Sequence, residues 1–256
     1  MAISYRELAA FLRDRIQDGT FRQGTTLPRQ QDLAREYGMN IKSVRQAIAL
    51  LETEGLVTPI RRRGTVVRQR NKLRRLETER YARRNWRSGG LATFAANRQA
   101  SSDPSPLGDQ DRVARLVEPD AEVAAALGVE PGTYVVERCR LVKTSEGDPT
   151  HILVSYYCAD DVKDSPLMDP RRRPAWVGTG FAVLSAQGLE PARITETLHA
   201  RMPDPAEREL LRLLPGVPVV VLHRLTSTTA GRVVEFARGV HAANWFAWTY
   251  SFDIPD

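Results

Sequence analysis

The sequence predicts an α+β protein made of two modules: a small basic module of three helices and a β-hairpin, and a larger module built on an antiparallel sheet. Three observations carry this prediction. Apolar residues recur at helical spacing up to about residue 54, runs of strand-forming residues dominate from about residue 110, and the stretch between them is rich in charge, Gly, Ser and Pro. The chain has 256 residues, which is enough for two domains of ordinary size.

The charge is distributed unevenly between the two modules. Residues 1–88 contain 20 Lys and Arg against 9 Asp and Glu, whereas residues 89–256 contain 17 against 22. The first part therefore carries a net charge of +11 and the rest −5, within a total of +6. A basic segment of this kind favours a polyanion as its partner, and charge alone allows DNA, RNA or an anionic membrane surface.

The N-terminal module is predicted to contain three helices. The first covers residues 4–18 and starts with an S-x-x-E capping box. The second covers about 29–37, and the third about 41–54, with Asn40 in place to cap it. The buried stripe of the third helix is predicted to consist of Val44, Ala47, Ile48 and Leu51.

Two short strand-like runs follow, at 56–60 and 65–67, and the sequence RRRG joins them. Helix, helix, short turn, helix and hairpin is the plan of a winged helix-turn-helix, whose third helix enters the major groove of DNA while the hairpin touches the phosphate backbone or the minor groove. The candidate DNA-binding residues here are Lys42, Ser43, Arg45, Gln46, Arg61, Arg62, Arg63 and Gly64. The alternative is a three-helix packing module whose charges are merely solvated. The clustering of basic residues at these two places favours DNA.

From about residue 110 the pattern indicates a sheet interrupted by helices. Strands are predicted at 133–144, 150–159, 193–202, 217–228, 232–242 and 246–254, and helices at 120–127, 177–187 and 205–213. Long strands with little parallel crossover favour an antiparallel sheet with helices on one face. We expect a first domain at 1–68, a connector and linker at 69–109 that is basic and helical at its start, and a second domain at 110–256.

Several stretches follow the pattern of a known family. In the first module these are YRELAAFLRDRIQDG, GTTLPRQQDLAREYGMN, SVRQAIALLETEGLV and GTVV, within residues 4–67. They resemble the GntR family of bacterial transcription regulators. The second module, through AEVAAALGVEPGTYVVERCRLV and VPVVVLHRLTST…GRVVEFARGVH, resembles the UTRA domain of the HutC branch, over roughly 110–254. The resemblance implies a DNA-binding repressor whose C-terminal domain, related in fold to chorismate lyase, binds a small effector and forms a homodimer.

The chain departs from the family at positions that face DNA. Arg29 stands where the family usually has a Ser or Thr that caps the second helix, and Gln31 and Ile41 stand where it often has arginines that reach operator bases. Arg45 is retained. The resemblance therefore implies that Arg29 and Gln31 belong to the DNA-binding surface and that the operator differs from the usual family sequence. Ile41 cannot donate to guanine.

Arg138 and Arg140 are two residues apart on a predicted strand and therefore project from the same face. Two guanidinium groups suit an anion, which they can hold through charge-assisted bidentate contacts. By resemblance, such a pair holds the phosphate of the effector in relatives that sense sugar phosphates. The alternative is a solvated strand face in which Glu137 or Glu235 pairs with an arginine.

The resemblance implies three further effector-binding residues. Thr179 falls where relatives have a pocket serine, Glu235 where they have a carboxylate, and His241 where many have an aromatic residue. The sequence around them diverges from the family, with AANWF at 242–246 and an unusual arginine-rich loop at 169–180. This divergence leaves room for an effector other than a simple phosphosugar.

Other functional classes find less support in the sequence. An enzyme like chorismate lyase and a DNA-binding protein without a ligand remain alternatives, but no nucleophile elbow, P-loop, dinucleotide fingerprint or metal-ligand spacing occurs. We therefore expect no catalytic residues, no metal and no cofactor. The longest apolar runs are too short to span a membrane, and two cysteines make no disulfide framework, so we expect a cytoplasmic protein without a membrane partner.

Overall fold

The computed structural model describes residues 3–68, 73–76, 81–83, 107–144, 147–168, 180–213 and 216–250. The chain divides into two compact units. The first unit comprises Met1–Arg70 with Leu214–Val217, and the second comprises Asn71–Leu213 with Pro218–Asp256.

The three predicted helices are present in the first unit, as α1 (Tyr5–Gln17), α2 (Gln30–Glu36) and α3 (Ile41–Thr53). The capping box forms at the start of α1, where Ser4 Oγ accepts the N–H of Glu7 at 3.3 Å and the Glu7 carboxylate accepts the N–H of Ser4 at 2.6 Å. Asn40 caps α3, because its side-chain oxygen accepts the N–H of Ser43 at 2.8 Å. Local sequence signals therefore determine where α1 and α3 begin.

The helices enclose a small apolar core. Leu8 and Leu12 of α1 are fully buried against Val44 and Leu51 of α3, and Leu33 of α2 joins them. These residues recur every three or four positions, so each helix presents one apolar stripe to the core. The opposite face of α3 is consequently left for solvent or for a partner.

A β-hairpin completes the first unit. Its strands, β1 (Val57–Ile60) and β2 (Gly64–Val67), pair in antiparallel fashion with Ile60 opposite Gly64. The loop before α2 also lies along β2, where Leu27 donates its N–H to Thr65 O at 2.8 Å. The hairpin is thereby fastened to the helical body. Three helices followed by this hairpin confirm the predicted winged helix-turn-helix.

The second unit is built on a six-stranded antiparallel sheet with the order β4-β5-β6-β9-β8-β7. The strands are β4 (Leu107–Val117), β5 (Val135–Thr144), β6 (Pro149–Cys158), β7 (Arg193–Arg201), β8 (Val219–Ser227) and β9 (Val233–Ala242). A separate parallel pair joins β3 (Leu73–Leu76) to β10 (Phe246–Thr249). The antiparallel sheet and the α+β class are thus confirmed.

Helices pack on both faces of the large sheet, whereas the sequence predicted one. On one face α4 (Ala121–Leu127) places Val123 against Tyr156. On the other face α5 (Gly180–Ala186) places Phe181 and Leu184 in a cluster with Tyr157. Consecutive strand residues point to opposite sides, so neighbouring tyrosines of β6 serve both layers. A third helix, α6 (Pro205–Leu210), follows β7, and no helix of the described residues is long and apolar enough to cross a membrane.

Two strands lie where the sequence predicted none. Residues 73–76 form β3, although the connector was expected to begin as a helix, because Leu and Arg have high helix propensity. Pairing with β10 overrides that local preference. Residues 107–117 form β4, partly within the predicted linker, because their mixed charges hide a strand that β5 pairs along its length. Local propensity does not predict either pairing, because each depends on a partner strand elsewhere in the chain.

The cap of α3 provides a test of the first unit. Asn40→Ala removes the acceptor of the Ser43 N–H and should lower the free energy of unfolding of this unit by about 1 kcal/mol. Asn40→Asp retains an acceptor and should cost less. Urea unfolding followed by circular dichroism measures both values, and an equal loss in the two variants would contradict the cap as the cause.

Candidate DNA-binding surface and effector site

The outward face of α3 carries the polar side chains that the sequence proposed for DNA. Lys42, Arg45 and Gln46 are exposed, and Ser43 is half-buried beside the cap. Arg45 Nε donates to Gln30 Oε1 of α2 at 3.2 Å, which ties the exposed guanidinium to the neighbouring helix. This bond orients Arg45 outward, and an oriented arginine is suited to the bidentate acceptors of guanine.

The start of α2 differs from an ordinary capped helix. Arg29 occupies the N-cap position, but its side chain makes no capping hydrogen bond, because a guanidinium has no acceptor to offer. Its exposed side chain is free of any capping role. Gln31 is exposed in the first turn, and Ile41 is 39% exposed at the start of α3. These residues therefore border the same outward surface as α3.

The hairpin tip, or wing, presents Arg61, Arg62 and Arg63 to solvent. Two of its residues have a positive φ: Gly64 at 101°, as expected for a tight tip, and Arg62 at 67°, a conformation that side chains with a Cβ rarely adopt. Arg63 donates from Nη2 to Gly24 O at 2.9 Å. Arg63 therefore braces the wing, while Arg61 and Arg62 stand at its tip.

One face of the large sheet, named the arginine face here, carries a register row across five strands in which four of the five side chains are polar. The register places Arg138 opposite Ser155, then Ala237, then Arg224, then Glu196. Both Arg138 and Arg224 are 6% exposed. A face of this kind requires internal partners for its charges, because charged side chains are costly to bury alone.

Glu235 lies two residues before Ala237 on β9, on the same face of the sheet, and is fully buried. Arg224 grips its carboxylate through Nε at 3.2 Å and Nη2 at 3.0 Å. Tyr157 donates to Oε1 and Thr226 to Oε2, both at 3.0 Å. Burial alone would raise the pKa of Glu235, but the charge and hydrogen bonds of Arg224 hold it below its ordinary value. Glu235 is therefore a carboxylate at neutral pH.

Arg138 and Arg140 lie side by side on the arginine face, as the sequence predicted. The carboxylates that the alternative assigned to them have other partners: Glu235 binds Arg224, and Glu137 binds Arg115 at 2.7 Å on the opposite face. Burial, followed by repulsion from Arg138, lowers the pKa of Arg140 to about 10. Arg140 is still charged at neutral pH, so the site concentrates positive charge in a poorly solvated place.

His241 is fully buried in an aromatic cluster. Its ring stacks on His151 with centroids 4.7 Å apart and meets the edges of Phe246 and Trp248 at 5.0 and 5.3 Å. The ring leans over Gly239, where a Cβ would come within 2.6 Å of His241 Cε1. Gly239 lies two strands from Arg140 in one register row, with Leu153 between them, so His241 lies on the same face of the sheet as the arginine pair. Thr179, the remaining predicted residue, lies outside the described residues.

The sequence prediction missed several polar groups of this face. Arg224, Tyr157 and Glu196 surround or extend the Glu235 network, and Tyr81 reaches it from the predicted connector. A signal existed for Arg224, which alternates with apolar residues on a predicted strand of valines and leucines. A polar residue among the alternate positions of a strand that point to the buried face indicates a buried polar site.

Comparison with known proteins now identifies the family. The model of the gntR family of bacterial regulatory proteins matches residues 4–67, and the UTRA domain model matches residues 112–247. A transcriptional regulator of the HTH type from Streptomyces coelicolor is 43% identical over 255 residues, which cover 100% of this chain and 94% of that protein. The chain belongs to the GntR family.

The GntR and UTRA domains together give this protein the architecture of the HutC subfamily. The transcriptional repressor NagR of Bacillus subtilis is 23% identical over 254 residues, covering 97% of this chain and 94% of NagR. PhnF from Mycobacterium smegmatis has the same fold, with a TM-score of 0.57 and 23% identity over 96% of this chain and 99% of PhnF. The chain is a DNA-binding transcriptional regulator with an effector domain, and it is not an enzyme.

The buried ion pair can be tested directly. Glu235→Gln keeps the size of the side chain but leaves the charge of Arg224 buried without its counter-ion, and should lower the free energy of unfolding by roughly 3–5 kcal/mol. Glu122→Gln is a suitable control, because Glu122 pairs with Arg238 while 51% exposed and should cost less than about 1 kcal/mol. Denaturant unfolding measures both. Equal losses would show that burial does not distinguish the pairs.

Proposed function

We propose that this GntR-family regulator is a homodimeric repressor that a small anionic effector releases from its operator. The observation that carries the proposal is the pair Arg138 and Arg140, two charged guanidinium groups on one largely buried face. A bound anion would neutralise this buried positive charge, and that gain favours anion binding. The name of the Bacillus subtilis relative, a repressor, supports the direction of regulation.

On the DNA side, α3 enters the major groove and the wing lies on the backbone. Arg45 reads a base from its position against Gln30, with Lys42, Ser43 and Gln46 around it, while Arg29 and Gln31 add contacts from α2. Arg61 and Arg62 contact phosphates, and Arg63 and Gly64 hold the wing in shape. A homodimer would place two such domains on half-sites about one helical turn apart or closer.

On the effector side, Arg138 and Arg140 bind the anionic group. Glu235 and His241, which are buried on the same face, would contact the remainder of the molecule together with Thr179. The proposed domains are residues 1–68 for DNA, 69–109 for the connector and 110–256 for effector binding and dimerisation. Release requires that the effector bind the two states of the dimer with affinities that differ by about 1–3 kcal/mol.

Substitutions of arginine distinguish base reading from phosphate binding. The specific DNA is a fragment that the wild-type protein enriches from random sequence. Arg45→Ala should reduce the free energy of binding to that fragment by about 1–3 kcal/mol and should change binding to unrelated DNA little. Arg61→Ala should weaken binding to both and reduce the salt slope of log K by about one. Fluorescence anisotropy at several salt concentrations measures both effects. If Arg45→Ala leaves specific binding unchanged, α3 does not read the operator through Arg45.

The effector site is tested with inorganic phosphate as the probe. Phosphate should raise the Tm of the wild type through binding at Arg138 and Arg140, and this rise should be lost in the double variant Arg138→Gln with Arg140→Gln. The control is Arg115→Gln, which removes an arginine from the opposite face of the same sheet. The control also corrects for the general stabilisation by phosphate as a salt. An equal rise in all three proteins would contradict an anion site at this pair.

A further inference from the structure

Tyr81 connects the segment that follows the DNA-binding unit to the arginine face. It lies 13 positions after Arg68 in the chain, and its hydroxyl donates to Glu196 Oε1 and accepts from Arg224 Nη1 at 3.3 Å. Both of these partners belong to the large sheet. The hydroxyl thus occupies a junction between a carboxylate of β7 and a buried guanidinium of β8.

Further contacts hold the same segment in place. The Tyr81 ring lies 5.9 Å from the Phe181 ring of α5, and the Arg224 guanidinium stands 5.7 Å from the Tyr81 centroid and 5.3 Å from the Phe181 centroid. Two residues later, Arg83 Nε lies 3.4 Å from Glu190 Oε1. The segment is therefore held by a half-buried polar and aromatic contact at Tyr81 and by an exposed ion pair at Arg83.

Arg224 is shared between Tyr81 and the effector site. Its Nε and Nη2 hold Glu235, while its Nη1 holds the Tyr81 hydroxyl. A guanidinium is planar and rigid, so a change in the position of the Glu235 carboxylate moves Nη1 together with Nε and Nη2. A ligand that binds to the Glu235 carboxylate, or that competes with it for Arg224, consequently alters the contact between Arg224 and Tyr81.

We infer that Tyr81 is a latch, a positioning residue through which Arg224 and Glu235 hold the connector segment and through which the effector site acts on it. The regulatory meaning of this latch rests on the proposed function. The latch contact itself does not, because it is a feature of the second unit alone. Tyr81 acts through Arg224 and does not bind the effector.

Tryptic cleavage after Arg83 measures whether the segment is held. In the full-length protein Tyr81→Phe keeps the aromatic contacts but removes the hydroxyl, and cleavage after Arg83 should become at least several-fold faster. The matched control is Tyr156→Phe, which removes a tyrosine–carboxylate hydrogen bond to Glu137 of 3.2 Å on the opposite face. The control should be cleaved at the wild-type rate. If Tyr81→Phe is also cleaved at that rate, the hydroxyl is not a latch.

A second pair of variants tests the route through Arg224. Tyr157→Phe removes a hydrogen bond to Glu235 but neither of the hydrogen bonds that the Tyr81 hydroxyl makes to Glu196 and Arg224, and it should change the cleavage rate after Arg83 in the wild-type background. The same substitution should have no further effect in Tyr81→Phe. Equal effects in both backgrounds, or no effect in either, would overturn the coupling. Thermal unfolding of each variant confirms that differences in rate arise in folded protein.

These cleavage rates need neither operator nor effector, so they separate the latch from the proposed function. Phosphate is expected to weaken DNA binding of the wild type by some factor, and in Tyr81→Phe this factor should be close to one. The affinity for phosphate itself should change less than about twofold, because coupling and binding are distinct quantities. An unchanged factor would show that the effector acts on DNA binding by another route. Loss of phosphate binding itself would place Tyr81 in the effector site and contradict its role as a positioning residue.

Discussion

The ion pair between Arg224 and Glu235 is the interaction on which the arginine face depends. Both side chains are almost completely buried, at 6% and 1% exposure, so each charge needs the other as its counter-ion. Burial alone would lower the pKa of Arg224, yet Glu235 and Tyr81 raise it above its ordinary value. Tyr157 and Thr226 supply further donors to the carboxylate. A fully bonded network of this kind permits one arrangement of the surrounding strands.

The electrostatic environment of Arg138 and Arg140 differs from that of the buried ion pair. Glu235 is within Coulombic reach of Arg140, but Arg224 already uses both of its oxygens, and the pKa of Arg140 is lowered to about 10 by burial and by Arg138. Arg138 and Arg140 thus form a second positively charged pair on the same face, on β5, two strands away from Glu235. The anion that we propose would bind to this second pair, where two guanidinium groups can hold it.

Sequence reasoning succeeded where the determining interactions are local. The caps Ser4 and Asn40 and the apolar periodicity gave the helices of the first unit to within one residue, because capping and amphipathicity act over a few positions. The alternation on β5 also placed Arg138 and Arg140 on one face.

The remainder could not be read from the sequence because it depends on pairing between distant segments. Strand β3 exists through contact with β10, more than 160 residues later, and its own sequence favours a helix. Arg224, Tyr81 and Glu196 are 28 to 143 residues apart in the sequence, so no sequence spacing predicts that they meet. Alternation revealed which face a residue occupies, but not which partner it finds there.

The two faces of the sheet contain the same chemical arrangement in different surroundings. On the α4 face, Arg238 lies over Tyr156 and Phe236 at 5.6 and 5.4 Å and pairs with Asp120 at 2.6 Å, with Asp120 55% exposed. Its guanidinium hydrogen bond lowers the pKa of Asp120 to about 2, so this contribution to stability is present above the unfolded pKa near 4 and is lost as the pH falls toward 2.

Solvent screens the Arg238 arrangement, and a change in it costs little. On the arginine face, Arg224 is likewise set over an aromatic pair and bound to a carboxylate, but it is shielded from solvent, and a small displacement there is energetically expensive. A ligand-dependent signal needs a ligand that interacts differently with two arrangements of the protein. A ligand that disturbs the buried arrangement has a larger effect than one that disturbs the exposed arrangement, which is why we expect regulation on the arginine face.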